Sequence, residues 1–539
     1  MAVVLITALV GAALVTTPAH AASHATAAAA SADSSKGVVA PIPTLSWHPC
    51  FGGDLQCTRA DVPLDYDDPT GETTSIFMSM QPATDPAHRI GTLFVNPGGP
   101  GGPSSQVVQY FAGLFGPKVA QRFDIVGIDP RGIGRSTQVR CRSSQPMPRF
   151  PRNWVPLNLA QAKPLIRFNS WIADACAEES NAILDHMTTA DTARDMDLIR
   201  QAVGDPKLSY YGISYGTYLG ATYAAMFPDD VRAVILDGVL DPVAWSTGRG
   251  GLGEVFPFST RLRSGVGAWD ALVSAFNECD RVGAARCRLA GSAADKWRRI
   301  VNRLKQGPVP VDNGKIYYSD VIGGTLGALY SRDSYRFLMR EIAALYQVLF
   351  GPDRTGADKR GLIASFRRMA DSRPWPYANS IRLGSMHGAK ARPANPPFEG
   401  VACSDSVNPT DPTAWVHAGA VADRQGPWFG RVWTWASGPC ATWPASKDDA
   451  YMGPWRTTTS APLMIVGNFH DPATPISGAR IANTLFEGSH LLSLNTWGHG
   501  AIGQSACVTV RMQRYLVHGV LPPSGMVCQP DKQLFPIKH

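Results

Sequence analysis

Apolar residues follow two different rhythms along this chain. Short unbroken runs, Gly91–Asn96, Phe123–Ile128, the stretch from Leu208 and Val231–Asp237, have the length and β-branched content of strands buried on both faces. Between them, Thr192–Val203 places Ala193, Met196, Leu198, Ile199 and Val203 at helical spacing. From Asp241 to about Ser460 the strand rhythm lapses into helical stretches, Ala268–Asn277, Ala293–Leu304 and Tyr335–Leu349, separated by Gly/Pro loops. It returns with the strand Ala461–Gly467, a helix carrying Ile476, Ala479, Ile481, Ala482 and Leu485, and the strand Leu491–Leu494. This pattern predicts an α/β core in two parts, residues 45–240 and 461–539, interrupted by a mainly helical cap over 241–460.

The amino terminus reads differently. Met1–Val15 is apolar or small except for Thr7, and the Ala19-His20-Ala21 ending suits a signal peptidase, so residues 1–21 are predicted to be a signal peptide. Residues 22–44 are then a spacer or pro-segment, Ala/Ser-rich as far as Lys36. No other stretch is long and apolar enough to span a bilayer, so no membrane anchor is predicted after cleavage. A net charge of +7 over 539 residues, with no Lys/Arg run, gives no reason to expect a nucleic-acid partner. Ten cysteines, an even number in an exported chain, point to disulfides. Sequence does not fix their connectivity, although sequential pairing closes only local loops and fits their arrangement in five neighbouring couples. No C-x-x-C pair or Cys/His cluster appears, and neither metal nor cofactor is predicted.

The candidate chemistry lies at strand ends. Gly212-Ile213-Ser214-Tyr215-Gly216 fits G-x-S-x-G between a strand and a helix, where the glycines permit close approach and the serine sits at a strained turn. Ser214 is the candidate nucleophile, and the Tyr215 N–H faces a developing oxyanion at the positive end of the helix. Pro97-Gly98-Gly99-Pro100-Gly101-Gly102 follows the Gly91–Asn96 strand; without a G-K-[ST] ending it is a poor phosphate loop, and the Gly99 N–H is the second oxyanion candidate. Asp471 follows one late strand and His499 the next, giving the order Ser, Asp, His. His470 precedes the acid and His490 precedes its strand, so His499 is preferred; Asp237, also at a strand end, is the alternative acid. Such a triad performs acyl transfer on peptides, amides or esters.

These residues bring out a resemblance. Asn96–Gly102, Asp129-Pro130-Arg131-Gly132, His186–Thr189 with Thr192–Asp195, the elbow Gly212–Gly220, Pro439–Pro444 and Asp471–Pro475 resemble the secreted actinobacterial tripeptidyl aminopeptidases, α/β-hydrolases related to proline iminopeptidases. The resemblance covers most of the chain after Trp47. It implies an α/β-hydrolase fold with a mainly helical cap, no cofactor, and a serine exopeptidase releasing di- or tripeptides from free N-termini through Ser214, His499 and Asp471. Where such relatives read Glu-Cys-Thr-Asp this chain has Ala402-Cys403-Ser404-Asp405, which leaves Asp405 as the candidate to bind the substrate's ammonium. The alternative expectation is a secreted esterase or amidase acting on small acyl substrates, since the same triad serves both.

Overall fold

The computed structural model describes residues 39–311, 314–351, 359–371 and 395–537. The predicted signal peptide 1–21, and the 22–44 spacer as far as residue 38, lie outside the described residues. Ten strands form one mixed sheet: β1 (His48–Cys50), β2 (Leu55–Pro63), β3 (Thr73–Gln81), β4 (Gly91–Asn96), β5 (Phe123–Ile128), β6 (Leu208–Ser214), β7 (Val231–Val239), β8 (Met464–His470), β9 (His490–Trp497) and β10 (Val527–Cys528). Their spatial order is β1-β2-β3-β5-β4-β6-β7-β8-β9-β10. The first three strands pair antiparallel with one another and onto β5. From β5 to β10 every pairing is parallel.

The unbroken apolar runs are explained by burial on both faces. Phe94, Val126, Tyr210, Val234, Leu236 and Ile465 point into one core with Met196, Leu219 and Ala479 of the helices Thr189–Ala202, Tyr215–Met226 and Ile476–Leu485. Their neighbours Leu93, Val95, Ile125, Tyr211, Ile235 and Val466 point into a second core with Phe111 and Met512 of the helices Val108–Phe115 and Ala506–His518. Alternation along a strand therefore changes which core a residue enters, and both sides are apolar. A third core joins the helices Ser264–Val282, Ala293–Lys305, Tyr318–Leu329 and Tyr335–Phe350 through Phe276, Trp297, Ile322 and Leu338.

Strands β2 and β3 were not among the predicted elements. In β2 the exposed Arg59 and Asp61 interrupt the buried positions, and β3 begins with exposed Thr73, so neither reads as an apolar run. The ten cysteines pair in sequential order: Cys50–Cys57, Cys141–Cys176, Cys279–Cys287, Cys403–Cys440 and Cys507–Cys528. Among the described residues no helix is long and apolar enough to cross a membrane.

The Asp129–Gly132 and Thr192–Asp195 motifs meet in a buried ion pair that ties the end of β2 and the turn at His186 to the helix Thr189–Ala202. The Arg131 side chain, fully shielded from solvent, donates to both oxygens of Asp195 at 2.6 and 2.9 Å, and to the carbonyls of Pro63, Leu64 and His186. Tyr66 donates to the same carboxylate at 2.7 Å. Removing one member leaves the other charge buried and uncompensated. Asp195→Ala is therefore expected to lose about 3–5 kcal/mol of unfolding free energy, measured by denaturant titration.

Candidate active site

Strand β6 runs without a break into the helix Tyr215–Met226, and Ser214 occupies the junction at φ 60°, ψ −127°. That region is costly for a residue with a side chain, by about 1–3 kcal/mol, and persists only where packing fixes it. The two glycines of the motif supply the fixing. A Cβ on Gly212 would lie 2.2 Å from the Gly216 carbonyl oxygen, and one on Gly216 would lie 2.8 Å from the Asn96 carbonyl oxygen at the end of β4. Only glycine lets the strand end, the helix start and the neighbouring strand converge here.

The glycine-rich loop after β4 lies directly against this turn. A Cβ on Gly98 would come within 2.9 Å of Ser214 Cβ and 3.0 Å of the Tyr215 nitrogen. The loop is held internally, with Gly98 N–H donating to Asn96 Oδ1 at 2.8 Å and Gly102 N–H to the Gly98 carbonyl at 3.2 Å. Gly99 N–H has no acceptor among the described residues, and Tyr215 is the first residue of its helix, whose N–H has no intrahelical partner. Both proposed oxyanion donors thus lie in segments that meet at the elbow.

Asp471 follows β8 and His499 follows the adjacent β9. His499 Nδ1 lies 3.0 Å from each Asp471 carboxylate oxygen. The carboxylate also accepts from the N–H groups of Ala473 and Thr474 at 2.8 Å and of Gly500 at 3.1 Å, which favours its charged form and fixes its orientation. Around the imidazole, Thr474 Oγ1 lies 3.2 Å from Nδ1, and the Tyr330 ring meets the His499 ring edge-on at 5.2 Å while its carbonyl accepts the His499 N–H.

The competing residues take other roles. Asp237, completely buried, accepts from Ala501 N–H, Ile502 N–H and Tyr211 OH, and so clamps the loop that carries His499. Burial pushes its pKa up to about 6. Asn468 reinforces the clamp, donating to the carbonyls of Gly498 and Gly500. His470 bridges away from the triad, with Nδ1 2.6 Å from Asp270 and Nε2 3.1 Å from Ser274 on the helix Ser264–Val282. Sequence reasoning overlooked Asn468, Asn96 and Tyr330. The two asparagines were visible as polar residues inside apolar strand runs, a pattern that requires hydrogen-bond partners; Tyr330 left no such signal.

Asp405 terminates the helix Pro397–Ser404, which Cys403–Cys440 ties to the turn Gly438–Ala441. Its carboxylate is 1% exposed and accepts from Thr189 N–H at 2.7 Å, Thr189 Oγ1 at 2.6 Å and Trp245 Nε1 at 3.4 Å. Thr189 Oγ1 in turn lies 2.5 Å from the Tyr215 hydroxyl. Asp405 is therefore linked to the residue after the nucleophile through Thr189. Burial raises its pKa to about 7.

Residues 91–262 match the family described as alpha/beta hydrolase fold, and residues 426–528 the family described as TAP-like protein. The chain is 31% identical over 522 residues to serine protease Hip1 of Mycobacterium tuberculosis, covering 90% of this chain and 91% of the relative. It is 28% identical over 505 residues to the tripeptidyl aminopeptidase of Streptomyces lividans, covering 90% and 87%. A Mycobacterium tuberculosis protein named carboxylesterase B is 30% identical over 512 residues, covering 90% of each chain.

The two buried acids near His499 are separable by substitution. Asp471→Asn removes the anion that orients the imidazole, and kcat is expected to fall by roughly 10⁴-fold with the fold retained. Asp237→Asn disturbs only the loop's placement and is expected to cost no more than about 10²-fold. Steady-state kinetics on a chromogenic substrate, with circular dichroism as the fold control, measures both.

Proposed function

This chain belongs to the α/β-hydrolase family of serine peptidases that includes tripeptidyl aminopeptidases and Hip1, and from that premise we propose an exported exopeptidase that releases di- or tripeptides from free N-termini. The observation that carries the reading is a positive-φ serine at a strand–helix turn, flanked by a glycine loop and served by a His499–Asp471 pair at neighbouring strand ends. Neutral His499 takes the Ser214 proton as Oγ attacks the scissile carbonyl carbon. Asp471 keeps the remaining imidazole proton on Nδ1 and stabilises the imidazolium. The N–H groups of Gly99 and Tyr215 receive the oxyanion. The C–N bond then breaks as His499 protonates the leaving amine, and water, deprotonated by the same histidine, hydrolyses the acyl-enzyme.

Export is supported by the apolar Met1–Val15 run with its Ala19-His20-Ala21 ending and by five disulfides among the described residues. The second reading, an esterase acting on small acyl groups, is favoured by the carboxylesterase B relative.

Hydrolysis of paired tripeptide anilides, identical except for a free or acetylated N-terminus, separates the two. Wild-type protein is expected to cleave the free peptides and spare the acetylated ones, and Ser214→Ala is expected to lose the activity by at least about 10⁴-fold. Cleavage of short acyl esters with neither peptide touched establishes the esterase reading instead.

A further inference from the structure

A serine, a histidine and an aspartate meet a second time in this protein, one residue before the triad acid. His470 Nδ1 lies 2.6 Å from Asp270 Oδ2, and its Nε2 lies 3.1 Å from Ser274 Oγ. The set has the connectivity of an acid, a base and a nucleophile, yet it is no second catalytic centre. Ser274 stands in the middle of the helix Ser264–Val282, where backbone N–H groups are spent on the helix's own carbonyls, so none is left to receive an oxyanion. What the set does instead is join that helix to the end of β8.

The end of β8 is irregular. Against β9, Asn468 stands opposite Leu494 and His470 opposite Trp497, so β9 takes up one extra residue immediately before Asp471 is reached. A bulge re-aims the residues beyond it and interrupts the ladder that would otherwise fix them. The helix supplies the missing hold. Gly267, Asp270 and Ser274 recur at i, i+3 and i+7 and so form one stripe along it. A Cβ on Gly267 would collide with the Asp471 carbonyl oxygen and lie 2.9 Å from Pro475 Cγ, while Asp270 and Ser274 grip both ring nitrogens of His470. The His470 ring stacks on Trp497 at 5.0 Å, and the His470 carbonyl accepts the Gly498 N–H at 3.2 Å. One residue thus touches the stems of both triad loops: it directly precedes Asp471, and its partners Trp497 and Gly498 directly precede His499.

We infer that His470 and Asp270 are positioning residues for the triad, through which the helix Ser264–Val282 sets the placement of Asp471 against His499. This rests on the reading of Ser214, His499 and Asp471 as the triad, and it holds whether the acyl donor is a peptide or an ester. The Asp270 carboxylate accepts the Nδ1–H of His470, which fixes the tautomer and the ring plane, and the fixed ring steadies the backbone on which Asp471 and Gly498 stand. The His470 and Asp270 side chains are 22% and 48% exposed, and a pair so placed adds little to stability. Its value lies in geometry, since a misplacement of about 1 Å at a catalytic group can cost about 10²-fold in rate.

Labelling of Ser214 tests the assignment without a chosen substrate. A fluorophosphonate reacts as the Oγ–P bond forms, the P–F bond breaks and fluoride leaves, with the serine proton passing to His499; intact-mass spectrometry follows the rate. Asp270→Asn is expected to slow labelling by roughly 10-fold, with Asp270→Glu restoring part of the loss and circular dichroism unchanged. The comparison that separates positioning from general damage is made in Asp471→Asn protein. A residue that acts through Asp471 has nothing left to position there, so adding Asp270→Asn is expected to slow labelling by less than about 2-fold further, whereas independent damage multiplies the two losses. A wild-type rate in Asp270→Asn, or losses that multiply, overturns the positioning role and leaves the triad reading standing. A wild-type protein that is not labelled at Ser214 overturns both.

Discussion

The conformation of a single residue governs the site. Ser214 at φ 60° is tolerable only because three backbone segments press on it at once: the end of β6, the first turn of the following helix and the loop after β4. Each contact uses a glycine where a side chain would collide, Gly212 against Gly216, Gly216 against Asn96 and Gly98 against Ser214. The strain is about 1–3 kcal/mol and is sustained by a sheet buried on both faces, whose parallel central strands do not shift independently. The same compression that holds the serine brings Gly98 of the glycine loop against Ser214 and the Tyr215 nitrogen.

Buried charge in this protein is distributed by donor count. Arg131 and Asp195 compensate each other with carbonyls and Tyr66 filling the remaining positions, and the pair ties the end of β2 to the helix Thr189–Ala202. Asp237 spends its acceptors on the loop after β9, so the two carboxylates near His499 divide the labour: one holds the imidazole, the other holds the backbone that carries it. Glu399, 7% exposed, accepts only from its own backbone N–H among the described residues.

The helical region between β7 and β8 acts on the site by direct contact. Tyr330 packs on the His499 ring, the helix Ser264–Val282 meets His470 and approaches the Asp471 carbonyl at Gly267, and the helix Pro397–Ser404 spans the glycine loop and the Asp405–Thr189–Tyr215 chain. These contacts come from residues far apart in sequence; of the segments that make them, helical spacing predicted only Ala268–Asn277, and only as a helix.

The parallel strands were legible because burial on both faces writes itself as an unbroken apolar run, and the elbow was legible because its backbone demands glycine at fixed offsets from the serine. The order Ser214, Asp471, His499, each just past a predicted strand, followed from those two signals. Strands β2 and β3 escaped because polar residues, Arg59 and Asp61 in one and Thr73, Thr74 and Ser75 in the other, break up their apolar positions. Which acid touches His499, which cysteines pair, that Asp405 is filled by Thr189 and Trp245 and that Glu399 is not, were decided only by the tertiary structure. A sequence records the backbone demands and solvent exposure of each residue locally, but hydrogen-bond partners are set by distances between segments that only the packed sheet and helices bring together.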